Sequence, residues 1–180
     1  MGSKVFVGID VGKDGGVVAI DESQNILIKS GIPRVGTQVN LKGLFGLLLQ
    51  LKDHDVYIAI EDVHSIHGAS AKANFSFGEI KGIKLGMIEA LGVLYDYKYI
   101  LVPPKTWQKK VWNSRDMEYK PKKPNSKINR RNVDTKKTSL LAAMRLFPNT
   151  DFRKTERSIK QHDGIIDAAL IALFVYLEFK

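Results

Sequence analysis

The sequence predicts an α/β protein: a five-stranded mixed sheet whose first three strands form an antiparallel meander, flanked by helices on both faces. Three observations carry this expectation. Short strand-like runs crowd the N-terminus, then alternate with segments of helical apolar periodicity. The later connections are long enough for crossovers, which makes part of the sheet parallel. The chain has 180 residues and 44% hydrophobic content, enough for one such domain with a real core.

The elements follow in order. Lys4–Asp10 reads as the first strand, an apolar run closed by an acid. The turn chemistry of Val11-Gly12-Lys13-Asp14-Gly15 leads to a second strand, Gly16–Asp21, and the polar turn Glu22-Ser23-Gln24 to a third, Asn25–Ser30. Strands linked this tightly pair antiparallel. Leu41, Leu44, Phe45, Leu48 and Leu51 then recur at helical spacing. Val56–Glu61 is the fourth strand, again closed by an acid. Phe75–Leu94 reads as a helix with Phe77, Ile80, Leu85, Ile88 and Leu91 among its apolar positions, and Lys98–Val102 as the fifth strand. Pro104–Trp112 is a short helix with proline near its start. Asn113–Val133 has no apolar period and reads as a mobile basic loop. Thr135–Phe147 and His162–Phe179 are the closing helices. With no internal repeat, residues 1–180 read as a single domain.

The formal charge of +9 is unevenly spread. Between Lys105 and Lys137 stand 12 Lys/Arg against 3 Asp/Glu, while the rest of the chain carries 16 of each sign. A neutral body with one strongly basic segment is built to meet a polyanion. A solvated charged loop is the plainer alternative, but this segment also carries Trp107, Trp112 and Tyr119. Candidate nucleic-acid contacts there are Lys105, Lys109, Lys122, Lys123, Arg130, Arg131 and Lys137. The absence of cysteine excludes disulfides, thiolate metal sites and a cysteine nucleophile. No run approaches the ~20 apolar residues of a membrane span, and the N-terminus lacks the apolar stretch of a secretion signal. An intracellular, membrane-free protein is expected.

Four acids stand where an acid is costly. Asp10 ends the run Val5-Phe6-Val7-Gly8-Ile9, Glu61 ends Val56-Tyr57-Ile58-Ala59-Ile60, and Asp163 and Asp167 open an almost wholly apolar C-terminal helix. A carboxylate pressed against a core needs a compensating partner, or it stays protonated. If the first and fourth strands are parallel neighbours, Asp10 and Glu61 emerge at the same sheet end. Asp163 and Asp167 share a helix face and repel each other in isolation. Packed against that sheet end, they complete a pocket of four carboxylates. Hard oxygen ligands favour Mg²⁺, with Mn²⁺ able to substitute. Two such ions about 4 Å apart serve phosphodiester hydrolysis by activating water and stabilising the leaving 3′ oxygen. Asp10 is the natural bridging ligand, and His162 stands where it can tune the water or position the phosphate. Singly, each acid has an ordinary explanation: a turn residue, a lysine partner for Glu61, a helix-dipole partner at Asp163. The four together, beside a basic segment, point to metal-dependent nuclease chemistry.

The run Gly8-Ile9-Asp10-Val11-Gly12-Lys13-Asp14-Gly15-Gly16 also invites a phosphate-cradle reading. Sugar kinases of the actin-like superfamily begin similarly. Their ATP site needs a longer chain and further phosphate loops, and this sequence has no second Gly-rich loop.

Motifs in one order along nearly the whole chain carry a family resemblance. They are Gly8-Ile9-Asp10-Val11-Gly12 with Gly15-Gly16; Ile60-Glu61; Val102-Pro103-Pro104-Lys105-Thr106-Trp107; Lys136-Lys137-Thr138-Ser139 leading to Leu146-Phe147-Pro148; and His162-Asp163-Gly164-Ile165-Ile166-Asp167-Ala168-Ala169. The chain resembles the RuvC-like Holliday-junction resolvases of the RNase H-like (retroviral integrase) superfamily, in their phage, large-virus and plastid branch. The first motif is weak alone; the combination is specific. The resemblance implies an RNase H-like fold, a homodimer, and Mg²⁺-dependent cutting of four-way DNA junctions with two ions per site. The products would be paired nicks with 5′-phosphate and 3′-hydroxyl ends. It implies catalytic carboxylate roles for Asp10, Glu61, Asp163 and Asp167. Lys136 or its neighbour Lys137 would approach the scissile phosphate, and Phe75 or Phe77 would meet the junction centre. The Phe75–Leu94 helix would join the two copies. The last two acids are four residues apart here against three in bacterial resolvases, which leaves His162 and Asp163 both candidates for the third site. The long basic loop suggests substrates beyond junctions, such as flaps and forks. Two other readings stand beside it: an RNase H-like nuclease acting on RNA–DNA hybrids or less selective branched DNA, and a junction-binding protein without cleavage.

Overall fold

In the computed structural model, which describes residues 2–12, 14–63, 70–121 and 132–180, the sheet is built around β1 (Lys4–Ile9). Its antiparallel neighbour is β2 (Gly16–Asp21), which pairs in turn with β3 (Ile26–Gly31). The β2–β3 turn is closed by Asp21, whose Oδ1 accepts from the N–H groups of Ser23 and Asn25 at 2.9 and 2.8 Å, with Gln24 at a positive φ of 64°. A two-residue hairpin, β4 (Arg34–Val35) and β5 (Gln38–Val39), turns through Gly36 at φ 59°. It was not anticipated, because two-residue strands carry no readable alternation. Asn40 then caps α1 (Leu41–Leu49), accepting from the Gly43 N–H at 3.0 Å. After α1 come β6 (Asp55–Glu61), α2 (Ala71–Tyr95), β7 (Lys98–Val102), α3 (Pro104–Val111), α4 (Thr135–Leu146) and α5 (Asp163–Phe179). Within α2, nothing is described of the side chains at 72–74, 76, 77 and 80.

The sheet order is β3-β2-β1-β6-β7, with β6 parallel to both β1 and β7. This is the expected mixed sheet with its N-terminal meander. Alternation sorts the strand side chains between two cores. Phe6, Val18, Ile20 and Ala59 face α3, α4 and α5. Val5, Val7, Ile9, Ile58 and Ile60 face α1 and α2. Helices therefore cover both sides, and α5, buried along most of its length, lies across β1 and β2.

Glycine permits that crossing. A Cβ on Gly8 would overlap the backbone of Ala168 and Ala172 in α5, and one on Gly164 would overlap the backbone of Asp14 and Gly15. Gly15 and Gly164 form a bridge where the helix start meets the β1–β2 corner. Here two backbones touch with no side chains between them, and α5 begins directly over the end of β1.

Gly164→Ala is expected to cost on the order of 1–3 kcal/mol, because the colliding atoms are backbone and have little freedom to move. That corresponds to a fall of roughly 5 °C in melting temperature for a chain of this size. Gly46→Ala in α1, where the added Cβ meets nothing within 4 Å, is the contrast. It should leave stability unchanged or raise it by about 0.5–1 kcal/mol. Thermal melts of the two variants check the ordering.

Candidate active site

Ile9 lies beside Ile60 in the parallel register, so Asp10 and Glu61 leave the sheet at one end. Asp10 is held by its own turn: its Oδ1 accepts from the Gly12 N–H at 2.8 Å, and its N–H donates to the Gly16 carbonyl at 3.0 Å. Burial raises the Asp10 pKa, and Asp163 adds to the rise; the Gly12 N–H, Lys84 and His162 oppose it. Burial also pushes Glu61 up to about 7, with repulsion from Asp10 adding. This is partly offset by Trp107, whose Nε1 donates to Glu61 Oε1 at 3.0 Å.

The third element is α5. Asp167 faces the same region and is pushed up to about 7, first by burial and then by Asp10, Glu61 and Asp163, while a hydrogen bond with the Ser139 hydroxyl of α4 works the other way. Its Oδ1 is buried without a hydrogen-bond partner among the described residues. Asp163, the first residue of α5, is about half exposed, and its Oδ2 lies 2.6 Å from Lys136 Nζ. That contact raises the Lys136 pKa. His162 caps α5, with Nδ1 accepting from the Ile165 N–H at 3.2 Å. The bond assigns the proton of the neutral ring to Nε2. Burial lowers the His162 pKa and Lys154 adds to the fall, while Asp14, Asp163 and Asp10 pull it upward.

All six residues expected to carry chemistry, Asp10, Glu61, Asp163, Asp167, Lys136 and His162, thus gather at one sheet end. As they stand, no three His, Asp or Glu side chains among the described residues enclose a metal-sized point. The donor set nevertheless fits a hard divalent cation. It is all oxygen apart from His162, two of its carboxyls are forced toward neutrality by burial and mutual repulsion, and one buried oxygen lacks a partner.

Of the residues expected to touch DNA, Lys105 and Lys109 are exposed on the outer side of α3, along a shallow cleft shared with Gln108, Trp112 and Asn113. Lys137 is exposed in the first turn of α4, and Phe75 is exposed on α2. Lys122, Lys123, Arg130, Arg131 and the Phe77 side chain lie outside the described residues. Trp107 differs from its expected place among the aromatics of the basic segment: it is fully buried, and its indole serves Glu61. Within the basic segment, the Lys120 N–H donates to the Asn132 carbonyl and Tyr119 bridges Val133. Asp116, buried and held below the usual carboxylate range by Arg145, ties the start of the segment to α4 through Arg145 Nε and Nη2 at 2.9 and 2.6 Å.

One site residue was not read from the sequence. Lys84 of α2 is only 1% exposed, its Nζ donates to the Val11 carbonyl at 3.0 Å, and burial lowers its pKa to about 8 despite attraction to Asp10. A signal was present: positions 84, 88 and 91 share a helix face, and the other two are the buried Ile88 and Leu91.

The fold has solved counterparts. "T. thermophilus RuvC in complex with Holliday junction substrate" matches with a TM-score of 0.56 at 12% identity, covering 96% of this chain and 94% of that one. "Thermus thermophilus RuvC structure" matches with a TM-score of 0.52 at 15% identity, covering 94% and 92%. The chain therefore has the RuvC, RNase H-like fold over nearly its whole length. No protein-family model and no curated protein matches the sequence.

The raised carboxyls set a pH dependence. Folded, Glu61 and Asp167 keep their protons up to about 7; unfolded, they release them near ~4. The folded state therefore holds more protons across that window, and without metal its stability falls as pH rises from about 4 to about 7. Burial raises Asp10 in the same direction, and Asp167→Asn removes one of these contributions. In chelator at pH 8 the variant should melt roughly 5 °C above wild type, with the gap closing at pH 4. Melts at both pH values test this; a gap independent of pH would contradict the burial argument.

Proposed function

We propose that this chain is an endonuclease that cuts branched DNA, with the four-way junction as its principal substrate, and that it works as a homodimer with Mg²⁺. One observation carries the reading. The basic stretch 105–137 is fastened to the carboxylate pocket at both ends, by Trp107 on Glu61 and by Lys136 on Asp163. Positive charge for a phosphate backbone and acids for phosphodiester chemistry thus share one rim. The structural likeness to a RuvC solved with a Holliday junction supports the choice of substrate.

Asp10, Glu61 and Asp167, with Asp163 or His162, would hold two divalent ions. When bound, these would supply Lewis acidity at the scissile phosphate, so that hydrolysis leaves 5′-phosphate and 3′-hydroxyl ends. The chain's own groups do the rest. The Gly12 N–H orients the Asp10 carboxylate, which would be shared by the ions, and Trp107 orients Glu61. Lys136 exchanges Asp163 for the scissile phosphate, with Lys137 beside it. Lys105 and Lys109 hold the flanking backbone, joined by Lys122, Lys123, Arg130 and Arg131. Phosphate contacts of this kind supply affinity without sequence information.

A junction has two equivalent strands to cut, which suits two sites related by a two-fold axis. Helix α2 supports that assembly. It buries Lys84, Ile88 and Leu91 against its own sheet yet exposes Phe75, Ile83, Val93 and Leu94. A Cβ on Gly78, Gly82 or Gly86 would meet nothing within 4 Å among the described residues, as close helix packing needs. Phe75, with Phe77, would then stand near the two-fold axis at the junction centre.

The test is incubation with labelled four-way junctions, flaps and RNA–DNA hybrids, with and without Mg²⁺. Paired symmetric nicks on the junction are expected. Preferential cutting of hybrids or flaps would favour a less selective nuclease, and tight binding without cleavage a non-catalytic junction-binding protein. Asp10→Asn should lower cleavage at least ~100-fold, in keeping with loss of a metal ligand, while junction affinity without metal stays near wild type. Near-normal nicking by this variant would sink the metal assignment.

Ile83→Asp should convert a dimer into a folded monomer whose nicks are slow and unpaired. Sedimentation of wild type and variant at micromolar concentration reads this directly. A wild-type monomer, with and without junction DNA, would defeat the dimer.

A further inference from the structure

The least expected side chain in the molecule is Lys84. Its neighbours on the helix face are Ile88 and Leu91, both fully buried. An apolar residue would fill that position at lower cost, since taking an ammonium out of water is unfavourable, and among the described residues no carboxylate forms an ion pair with it. Its protein hydrogen bond is to the Val11 carbonyl at 3.0 Å. Asp10 attracts the ammonium, and the Arg34 charge opposes it. The bond reaches from the helix layer that covers one sheet face to the first residue after Asp10. Gly12, the next residue, gives its N–H to Asp10 Oδ1. The order is continuous: α2, Lys84, Val11, Gly12, Asp10. One turn earlier on the same helix, Lys81 pairs with Asp62 and donates to the Val63 carbonyl at 3.3 Å, just past Glu61. Helix α2 thus braces the chain beyond both strand-end carboxylates.

Resting on the nuclease reading above, we propose that Lys84 is a positioning residue of the carboxylate pocket, clamping the Val11 carbonyl so that the 10–12 turn presents Asp10 to a divalent cation. Its contact is with the backbone beside the ligand, as outer-shell partners of metal sites act through the groups that bind the ion. This role is separable from a charge effect. A bare positive charge near the pocket repels a second cation, so its removal alone would tighten metal binding. Loss of a clamp loosens the turn and weakens binding.

The experiment is calorimetric titration of DNA-free protein with Mn²⁺, comparing wild type, Lys84→Met and Lys84→Gln, with junction affinity in chelator and junction cleavage measured alongside. Lys84→Met keeps the length and removes donor and charge. Its Mn²⁺ affinity should fall about 10-fold and its cleavage rate by a similar factor, with junction affinity in chelator unchanged within about twofold, because phosphate contacts lie in the basic stretch. Lys84→Gln keeps an N–H donor and should fall between Met and wild type. If the Met variant does not fold, the Gln variant decides, and an affinity equal to wild type overturns the proposal. Unchanged Mn²⁺ affinity in Lys84→Met reduces Lys84 to a core filler, and tighter binding reduces it to a repelling charge; either overturns the clamp while leaving the nuclease intact. Wild-type protein that takes up no Mn²⁺ would remove the metal site itself, and both readings with it.

Discussion

Everything at the pocket depends on how closely the α5 backbone approaches the β1–β2 corner. Side chains normally hold a helix well away from a sheet, and at that distance Asp167 would stop short of the strand end. Gly8, Gly16 and Gly164 remove the spacers where the two backbones meet. The apolar body of α5 then lies across β1 and β2, and its first turn overhangs the residue that follows β1. The parallel β1–β6 pairing supplies the other half of the constraint by placing Asp10 and Glu61 side by side. Both contacts are made by backbone, without a charged side chain in either, yet together they determine where four charges stand.

Gathering those charges is electrostatically unfavourable, and the surrounding residues show how the fold tolerates it. Each acid has a different compensating group. Asp10 has a backbone N–H and a nearby buried lysine, Glu61 an indole, Asp167 a serine hydroxyl, and Asp163 a surface lysine. The donors come from the 10–12 turn and from α2, α3 and α4, so nearly every element at this end of the sheet touches the pocket. The compensation is incomplete, because Glu61 and Asp167 still titrate about 7 and Asp167 Oδ1 lacks a partner among the described residues. Such a set is costly when every carboxylate is ionised and is relieved by a cation, which is how an ion-binding site differs from an ordinary salt-bridge network.

Much of this was legible in the sequence, for a physical reason. An acid that closes an apolar strand, or interrupts an apolar helix, breaks a strong local pattern. Asp10, Glu61 and Asp167 stood out in that way, and the strand and helix periods located all five main strands and the helices to within a few residues. Three things were not legible. The β4–β5 hairpin is too short to have a period. Trp107 in a basic segment looks like a surface aromatic until the direction of its helix face is known, and the fold turns it inward to Glu61. Lys84 broke the pattern of α2 as plainly as Asp10 broke that of β1, but lysine is common on helices and its long stem suits a half-buried site. Only the packing of α2 shows that the ammonium itself is inside, facing Val11.

The distribution of charge has a consequence for the order of events in the proposed reaction. A pocket of acids repels a phosphodiester, so DNA must be attracted by groups around the rim. The basic stretch is tied down at Trp107 and again at Lys136, which brings its positive charge back to the pocket edge on both sides. The Lys136–Asp163 pair is exposed at both partners, so it is weak and exchangeable in water. A phosphate oxygen arriving at the rim could replace Asp163 as the partner of Lys136 at little cost, which would leave Asp163 free to join the residues proposed to hold the ions. Phosphate arrival and completion of the carboxylate set are thereby coupled through one surface ion pair, whereas Asp10 and Glu61 are already held in place by the backbone turn and the indole. Under that coupling the buried half of the pocket is preorganised, and the exposed half is completed by the substrate.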